Sequence, residues 1–319
     1  MYRKNPNEKS DEILNNRDLD TTGKEESLPP LRSEIAAAIQ KLRPRKSPGA
    51  DGIHAEMIAA AGEEAIDMYH ILIKKIWESE QWPLEWKTTI YLPLPKKGDL
   101  QECSNHRTIA LISHPSKILL NVIISRMKEQ LDLEINDTQA GFRKNRGTRD
   151  HLFNLATLIQ KHNDVNEDLR ICFIDYSKAF DCVSHAKLWE TLREMNFHPK
   201  VISLLKSLYH EQQASVRLEK SDTEPFVVEK GVRQGCILSP NLFSIYTESI
   251  MRKVEEDQRS GMYDEVNIQG RKIRDLRYAD DTALLSRTVH GLESLVESVK
   301  EHSEEKDLLL NVKKKSNGY

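Results

Sequence analysis

Arg277-Tyr278-Ala279-Asp280-Asp281-Thr282 lies between Ile273 and the apolar run Ala283-Leu284-Leu285. The pattern is a strand-turn-strand with two adjacent carboxylates at its tip. Held about 4 Å apart at an effective dielectric near 20, two such charges repel by on the order of 4 kcal/mol. A solvated Asp-Gly-type turn explains one aspartate. Two between buried strands are better explained by a divalent cation, because hard ions such as Mg²⁺ take carboxylate oxygens. A second segment, Phe173-Ile-Asp175-Tyr-Ser-Lys-Ala-Phe180-Asp181, follows the short apolar run Leu169 to Ile174, which reads as a buried strand. An aspartate there is either the cap of the next helix or a cation ligand. If the sheet brings Asp175 alongside Asp280 and Asp281, three carboxylates could hold two ions that clamp the oxygens of a phosphoryl transfer.

Between these segments lies Gly231-Val-Arg233-Gln234-Gly235-Cys-Ile-Leu-Ser239-Pro240, where Gly235 allows close backbone approach and Ser239-Pro240 opens a helix through Phe243 and Tyr246. Further out, Ser33 is the expected cap of a short helix with Ile35, Ile39 and Leu42 on one face, ended by Pro44. Helical periodicity runs again from Glu56 to Trp77 and breaks at Trp82-Pro83. A strand is expected from Thr89 to Leu94, a loop at Pro95 to Gly98, and a helix from Ser116 to Leu131. Two helices follow the first aspartate, one with Leu188, Leu192 and Met195, the other starting at Pro199. Ala214 to Leu218 and Phe226 to Val228 read as a hairpin, and Leu292, Val296 and Val299 mark a last helix. Helices interrupt hairpins instead of alternating with them, so the expected class is α+β with an antiparallel sheet packed on helices.

The chain has 319 residues, 38% of them hydrophobic and 30% charged, which allows a sizeable core under a heavily solvated surface. No apolar run approaches the roughly 20 residues of a membrane helix. The N-terminus is too polar for a signal peptide, and the four cysteines show no C-x-x-C spacing. These features exclude a membrane protein, a disulfide scaffold and a zinc finger, and leave a soluble intracellular protein, nuclear or cytoplasmic. Residues 1–30 read as a disordered leader ending in Pro29-Pro30. Net charge is −3, from 47 basic and 50 acidic residues, which does not by itself announce a polyanion partner. Basic runs at Lys41 to Lys46, Lys96-Lys97, Arg143 to Arg149 and Lys313 to Lys315 read as solvated faces or as phosphate contacts.

In order and spacing, Asp175 with Ala179-Phe180, Arg233-Gln234-Gly235 with Ser239-Pro240, and Tyr278-Ala-Asp-Asp281 resemble motifs A, B and C of reverse transcriptases. More narrowly, the chain is similar to the polymerase of a non-LTR (LINE-type) retrotransposon. Lys46-Ser-Pro-Gly-Ala-Asp-Gly52 resembles that group's N-terminal motif, and Pro95-Lys96-Lys97-Gly98 and Asn105-His-Arg107-Thr-Ile109 resemble its fingers. Gln139-Ala-Gly-Phe142-Arg143 is a further match, and Leu310-Asn311-Val312-Lys313-Lys314 resembles motif D. The likeness covers about residues 33–316. YxDD alone is a weak signal, whereas seven motifs in order are a strong one.

The resemblance implies a right-hand polymerase, with residues 31–88 as an N-terminal extension of the fingers, 89–319 as the fingers-palm domain, and no thumb. It implies an RNA-directed DNA polymerase that extends a DNA primer on an RNA template with dNTPs, Asp175, Asp280 and Asp281 holding two Mg²⁺ ions, with Mn²⁺ as a substitute. Phe180 is then placed as the steric gate against a 2′-hydroxyl, and Gln234 and Gly235 line the incoming nucleotide. Lys96 or Lys97 and Arg107 would contact the triphosphate, and Lys314 would assist the leaving pyrophosphate. Arg143, Lys144, Arg146 and Arg149 would track template phosphates. The family's upstream endonuclease, and its primer grip and thumb beyond motif D, have no counterpart in the sequence, and Lys315 stands where Thr commonly follows the motif D lysine. A second expectation follows from these departures, an inactive truncated relic that at most binds RNA. Phe180 argues against an RNA polymerase with the same palm, and the fingers motifs argue against a nucleotidyl cyclase.

Overall fold

The computed structural model describes residues 27–96, 98–218, 221–258, 266–268 and 270–311. Most of the expected leader, Lys97 and Lys314 therefore lie outside the described residues. Four helices come first: α1 (Arg32–Gln40), α2 (Ala55–Ala60), α3 (Gly62–Ser79) and α4 (Leu84–Lys87). Ser33 lies inside α1 and does not cap it. The carboxylate of Glu34 reaches back instead to accept from the Leu31 N–H at 2.8 Å. The single helix expected from Glu56 to Trp77 is broken at Ala61, where Gly62 takes a left-handed φ of +55°.

Strands β1 (Thr88–Pro95) and β2 (His106–Leu111) follow, then α5 (His114–Glu134), whose cap Ser113 accepts from the Ser116 N–H at 3.3 Å. Next come α6 (Thr148–Asp164), β3 (Arg170–Ile174), α7 (Ala179–Cys182), α8 (His185–Glu194), α9 (Pro199–Tyr209), β4 (Gln213–Val216) and β5 (Phe226–Val227). The chain continues through α10 (Ser239–Gln258), β6 (Val266–Ile268), β7 (Arg271–Ile273), β8 (Asp275–Tyr278), β9 (Asp281–Ser286) and α11 (Val289–Glu305). Among the described residues, no helix is long and apolar enough to cross a membrane.

One sheet has the order β2-β1-β4-β5. Its β1–β2 and β4–β5 pairs are antiparallel, whereas β1 and β4 run parallel in the register Thr89↔Ala214. The parallel pair was not expected. It is joined by a long crossover that carries α5 to α9, which is what parallel neighbours require. The second sheet is antiparallel throughout, in the order β3-β9-β8. Cys172, Ile174 and Leu284 pack from one of its faces against Met251 and Val254 of α10 and Leu295 and Val299 of α11. Ile171, Leu276, Ala283 and Leu285 pack from the other against Leu155 and Leu158 of α6 and Val266 and Ile273. Alternate residues of β9 thus serve opposite helical layers, the period-2 pattern of a strand covered on both sides. β3 is less buried than its apolar sequence suggests: it forms an edge of this sheet, and Phe173 is 67% exposed.

One core runs from Ile35, Ile73 and Trp77 of the first helices through Ile118 and Ile123 of α5 and Leu188 of α8 to Phe243 and Tyr246 of α10. Residues 31–88 share this core and enclose none of their own.

Candidate active site

β8 and β9 close a two-residue turn, because Tyr278 pairs with Asp281 and leaves Ala279 and Asp280 at the tip. On the other side of β9, β3 pairs in the register Ile174↔Thr282. One step further along that register sets Asp175 opposite Asp281. Asp175 and Asp280 are half-buried and Asp281 is exposed. Burial, reinforced by the charges of Asp281 and Asp175, pushes the Asp280 carboxyl above its usual range, although its own backbone N–H and Arg107 pull the other way. The Asp280 carboxyl therefore feels both of the other two. A cation between them would relieve that repulsion, and a donor set made of carboxylate oxygens suits a hard divalent ion. Among the described residues, no three His, Cys, Asp or Glu side chains stand close enough together to hold a metal ion as they are placed. The aspartates fit a metal by charge and chemistry, within electrostatic reach of one another.

Two further sets of contacts hold this tip. The segment after α11 lies against the end of β3: the Asn311 N–H donates to the Asp175 carbonyl at 2.7 Å, and Asn311 Nδ2 donates to Asp175 Oδ2 at 3.2 Å. Under the hairpin, Arg277 is 2% exposed and lies 2.8 Å from Asp275 Oδ1 and 2.9 Å from Glu248 Oε2, the latter poorly aligned for a hydrogen bond. Burial alone would lower the Arg277 pKa, but Asp275 and Glu248 outweigh it and raise it, so the buried ion group stays charged.

The loop Gly231 to Gly235 packs against β2 and α7. Arg233 is buried, and its guanidinium donates to Gln212 Oε1 at 3.0 Å and to the carbonyls of Trp86 (3.2 Å) and Lys87 (3.0 Å), so it anchors the loop to α4 and the start of β4. Next to it, the Gln234 carbonyl accepts from the Ala110 N–H of β2 at 2.7 Å. Gly235 is exposed at φ +110°, and a Cβ there would stand 3.0 Å from the Ala110 oxygen. Gly231 and Val232 bind α7 and its flank, through Gly231 N–H to Val183 O and Val232 N–H to Phe180 O, both 2.8 Å. Phe180 is stacked on Phe243 of α10 with ring centroids 4.6 Å apart.

The remaining residues singled out in the sequence divide into free and committed groups. Arg107 is exposed on β2, its guanidinium has no hydrogen bond or ion pair among the described residues, and its charge acts on Asp280. Lys96 is exposed at the end of β1 and acts on Asp181, whose carboxyl is raised by burial and lowered by Lys178 and Lys96. Lys144 and Arg149 face solvent. Arg143 is turned inward instead: its Nη1 donates to the carbonyls of Ile135 (3.1 Å) and Asn136 (2.9 Å), and burial followed by the Arg146 charge lowers its pKa. Arg146 pairs with Asp137 at 2.6 Å. Asn311 and Gln139, whose amide meets the Ala279 backbone, are functional candidates that only the fold reveals. Both lie inside stretches already quoted. A neutral amide carries no charge penalty in sequence, so nothing marked either one.

The family model described as "Reverse transcriptase (RNA-dependent DNA polymerase)" matches residues 94–318. The chain is 31% identical over 230 residues to a probable RNA-directed DNA polymerase from transposon BS of Drosophila melanogaster, a match covering 70% of this chain and 25% of that protein. It is 28% identical over 260 residues to an uncharacterized 149 kDa protein of transposon TX1 from Xenopus laevis, covering 82% and 20%. It is 25% identical over 288 residues to a Pol polyprotein from the type-1 retrotransposable element R2 of Popillia japonica, covering 90% and 39%. The chain thus spans well under half the length of these relatives. Apo telomerase from Candida tropicalis, truncated from its C-terminal domain, shares the fold at a TM-score of 0.52 and 15% identity, over 72% of this chain and 49% of that one. The chain belongs to the reverse transcriptase family, on its LINE-type, non-LTR branch.

Proposed function

We propose that this chain is the fingers-palm part of an RNA-directed DNA polymerase. The primer 3′-oxygen bonds to the α-phosphorus of a dNTP, the bond from that phosphorus to the bridging oxygen breaks, and pyrophosphate leaves. The observation that carries this reading is the meeting of Asp175 with Asp280 and Asp281 through the β3–β9–β8 register, in a chain of this family. Asp175, Asp280 and Asp281 would hold two Mg²⁺ ions, or Mn²⁺ in their place, which when bound neutralise charge on the attacking and leaving oxygens.

The rest is positioning by the chain itself. Arg107, uncommitted and facing the carboxylates, receives the triphosphate with its two-pronged donor set. Lys96 and Lys97 would add point charges to the triphosphate, and Lys314 would assist the departing pyrophosphate. Gly235 keeps the floor of the nucleotide site open next to Gln234. Phe180, backed by Phe243, is too rigid to move aside for a 2′-hydroxyl. Lys144 and Arg149 offer phosphate contacts to the template, while Arg143 and Arg146 hold the loop that carries Lys144 and leads into α6. An RNA template is supported by the RNA-directed polymerases among the relatives and by a telomerase of the same fold from Candida albicans in complex with a fragment of telomeric RNA. In this reading residues 31–88 extend the fingers and 89–319 form the fingers and palm. The protein works inside the cell, and copying at a chromosomal target would take it to the nucleus.

Primer extension tests the reading. The purified chain with an RNA template, a DNA primer, Mg²⁺ and dNTPs is expected to add the template-specified nucleotide. Asp280→Asn with Asp281→Asn is expected to cut the rate by at least about 10³-fold. A folded chain that binds primer–template and adds nothing would contradict the polymerase and leave the inactive relic.

A further inference from the structure

We propose that Gln139 is a positioning residue for the Asp280–Asp281 turn: its buried amide clamps the backbone of Ala279 and so aims the two carboxylates that follow. The proposal rests on the polymerase reading for what the aim is used for.

Gln139 is 0% exposed. Its Oε1 accepts from the Ala279 N–H at 3.0 Å and from the Gly141 N–H at 2.8 Å, and its Nε2 donates to the Ala279 carbonyl at 3.3 Å. Two N–H donors on one end of the amide fix which end is oxygen. Both peptide groups flanking Ala279 are therefore held by one side chain. Ala279 needs holding, because its φ of +58° is a left-handed conformation that is unfavourable for alanine. A strained residue at the tip of a turn, one position before a carboxylate, is the kind of outlier that points to a function.

The backbone around Gln139 supports the clamp. Gln139 bridges to Arg277 in parallel fashion, with Arg277 N–H to Thr138 O and Ala140 N–H to Arg277 O both at 2.9 Å, so residues 138–140 lie along the outer side of β8. Gly141 comes so close that a Cβ on it would stand 2.3 Å from the Ala279 nitrogen. Asp280 and Asp281 repel each other, and a two-residue turn freed from Gln139 could relax by rotating the peptides at Ala279. That rotation would turn Asp280 away from Asp175.

The alternative is an amide that merely satisfies buried backbone groups. Two variants of the full chain separate the two roles. Gln139→Met keeps the length and removes all three bonds. Gln139→Glu keeps the acceptor and loses the donor. Hydrogen exchange at Ala279, the affinity for Mn²⁺ alone read by electron paramagnetic resonance, the dNTP KM, kcat and the primer–template Kd are measured for each. For Gln139→Met the expected changes are faster exchange at Ala279, Mn²⁺ affinity weakened by about 3- to 10-fold, and kcat lowered by on the order of 10- to 100-fold with primer–template Kd within about 2-fold. Gln139→Glu is expected to recover the exchange protection and part of kcat, and it carries the test if the Met variant fails to fold.

Unchanged kcat and Mn²⁺ affinity per folded molecule in the variants, even with a lowered Tm, would overturn the proposal. So would a loss confined to primer–template binding. If wild type adds no nucleotide yet binds Mn²⁺ through Asp280, and Gln139→Met weakens that binding, the clamp stands and the polymerase reading fails.

Discussion

At the scale of single residues, Asp280 sets stability against use. Its folded-state pKa lies above the ordinary value, so the ionised form is the one the fold disfavours. The group therefore stabilises the folded chain only at acid pH, below its unfolded pKa, and that contribution is lost as pH rises through the raised folded value. Asp280→Asn should accordingly raise the Tm of the metal-free chain at pH 7, by on the order of 1–2 °C because the side chain is only half-buried and solvent screens it. Differential scanning calorimetry should show the gain fading near pH 3, where wild type is protonated in both states. The three aspartates were legible in the sequence because a carboxylate beside an apolar strand is costly and needs a reason. Asn311 and Gln139 were not, since each is neutral and its partner lies far along the chain. Arg143 shows the converse, a basic residue read as a phosphate contact that the fold spends on carbonyl oxygens.

At the scale of elements, the contact between Gly231 and α7 fixes where Phe180 stands. Gly231 has φ +92°, and a Cβ on it would lie 2.9 Å from the Asp181 carbonyl oxygen and 3.0 Å from its Cα. Gly52 has φ +65° with nothing within 4 Å of its Cβ position. Gly52→Ala should cost about 1 kcal/mol, for backbone conformation alone, and Gly231→Ala about 2–3 kcal/mol, because backbone must also move. Urea denaturation of both variants checks the difference, and equal losses would show that the α7 contact is soft. α11, with one clear apolar stripe, the β8–β9 hairpin, with a clear tip, and α5, with a dense apolar run from Ile118 to Ile123 that is buried on nearly every side, could be read from sequence. α6 could not, because Leu152 and Phe153 lie on its exposed side while Leu158 and His162 are buried, which leaves no single stripe. The parallel β1–β4 pair was equally hidden, since the register between strands so distant in sequence is decided by the intervening helices.

For the molecule as a whole, one assembly of three distant carboxylates matters most. Asp175, at the end of an edge strand, and Asp280 and Asp281, at the tip of a hairpin over a hundred residues later, are brought side by side by the β3–β9–β8 register, and the proposed function has them hold the metal ions together. The shared core from Ile35 to Tyr246 and the two helical layers around β9 are what bring them together. The most direct measurement replaces Mg²⁺ with Fe²⁺ in the full chain, adds ascorbate and peroxide, and maps where the local radicals cut the backbone. Cuts are expected at both 174–177 and 278–282, suppressed by excess Mg²⁺ and lost together in Asp280→Asn with Asp281→Asn. Cuts at only one of the two segments, or cuts at both that persist in the double variant, would contradict a shared metal centre.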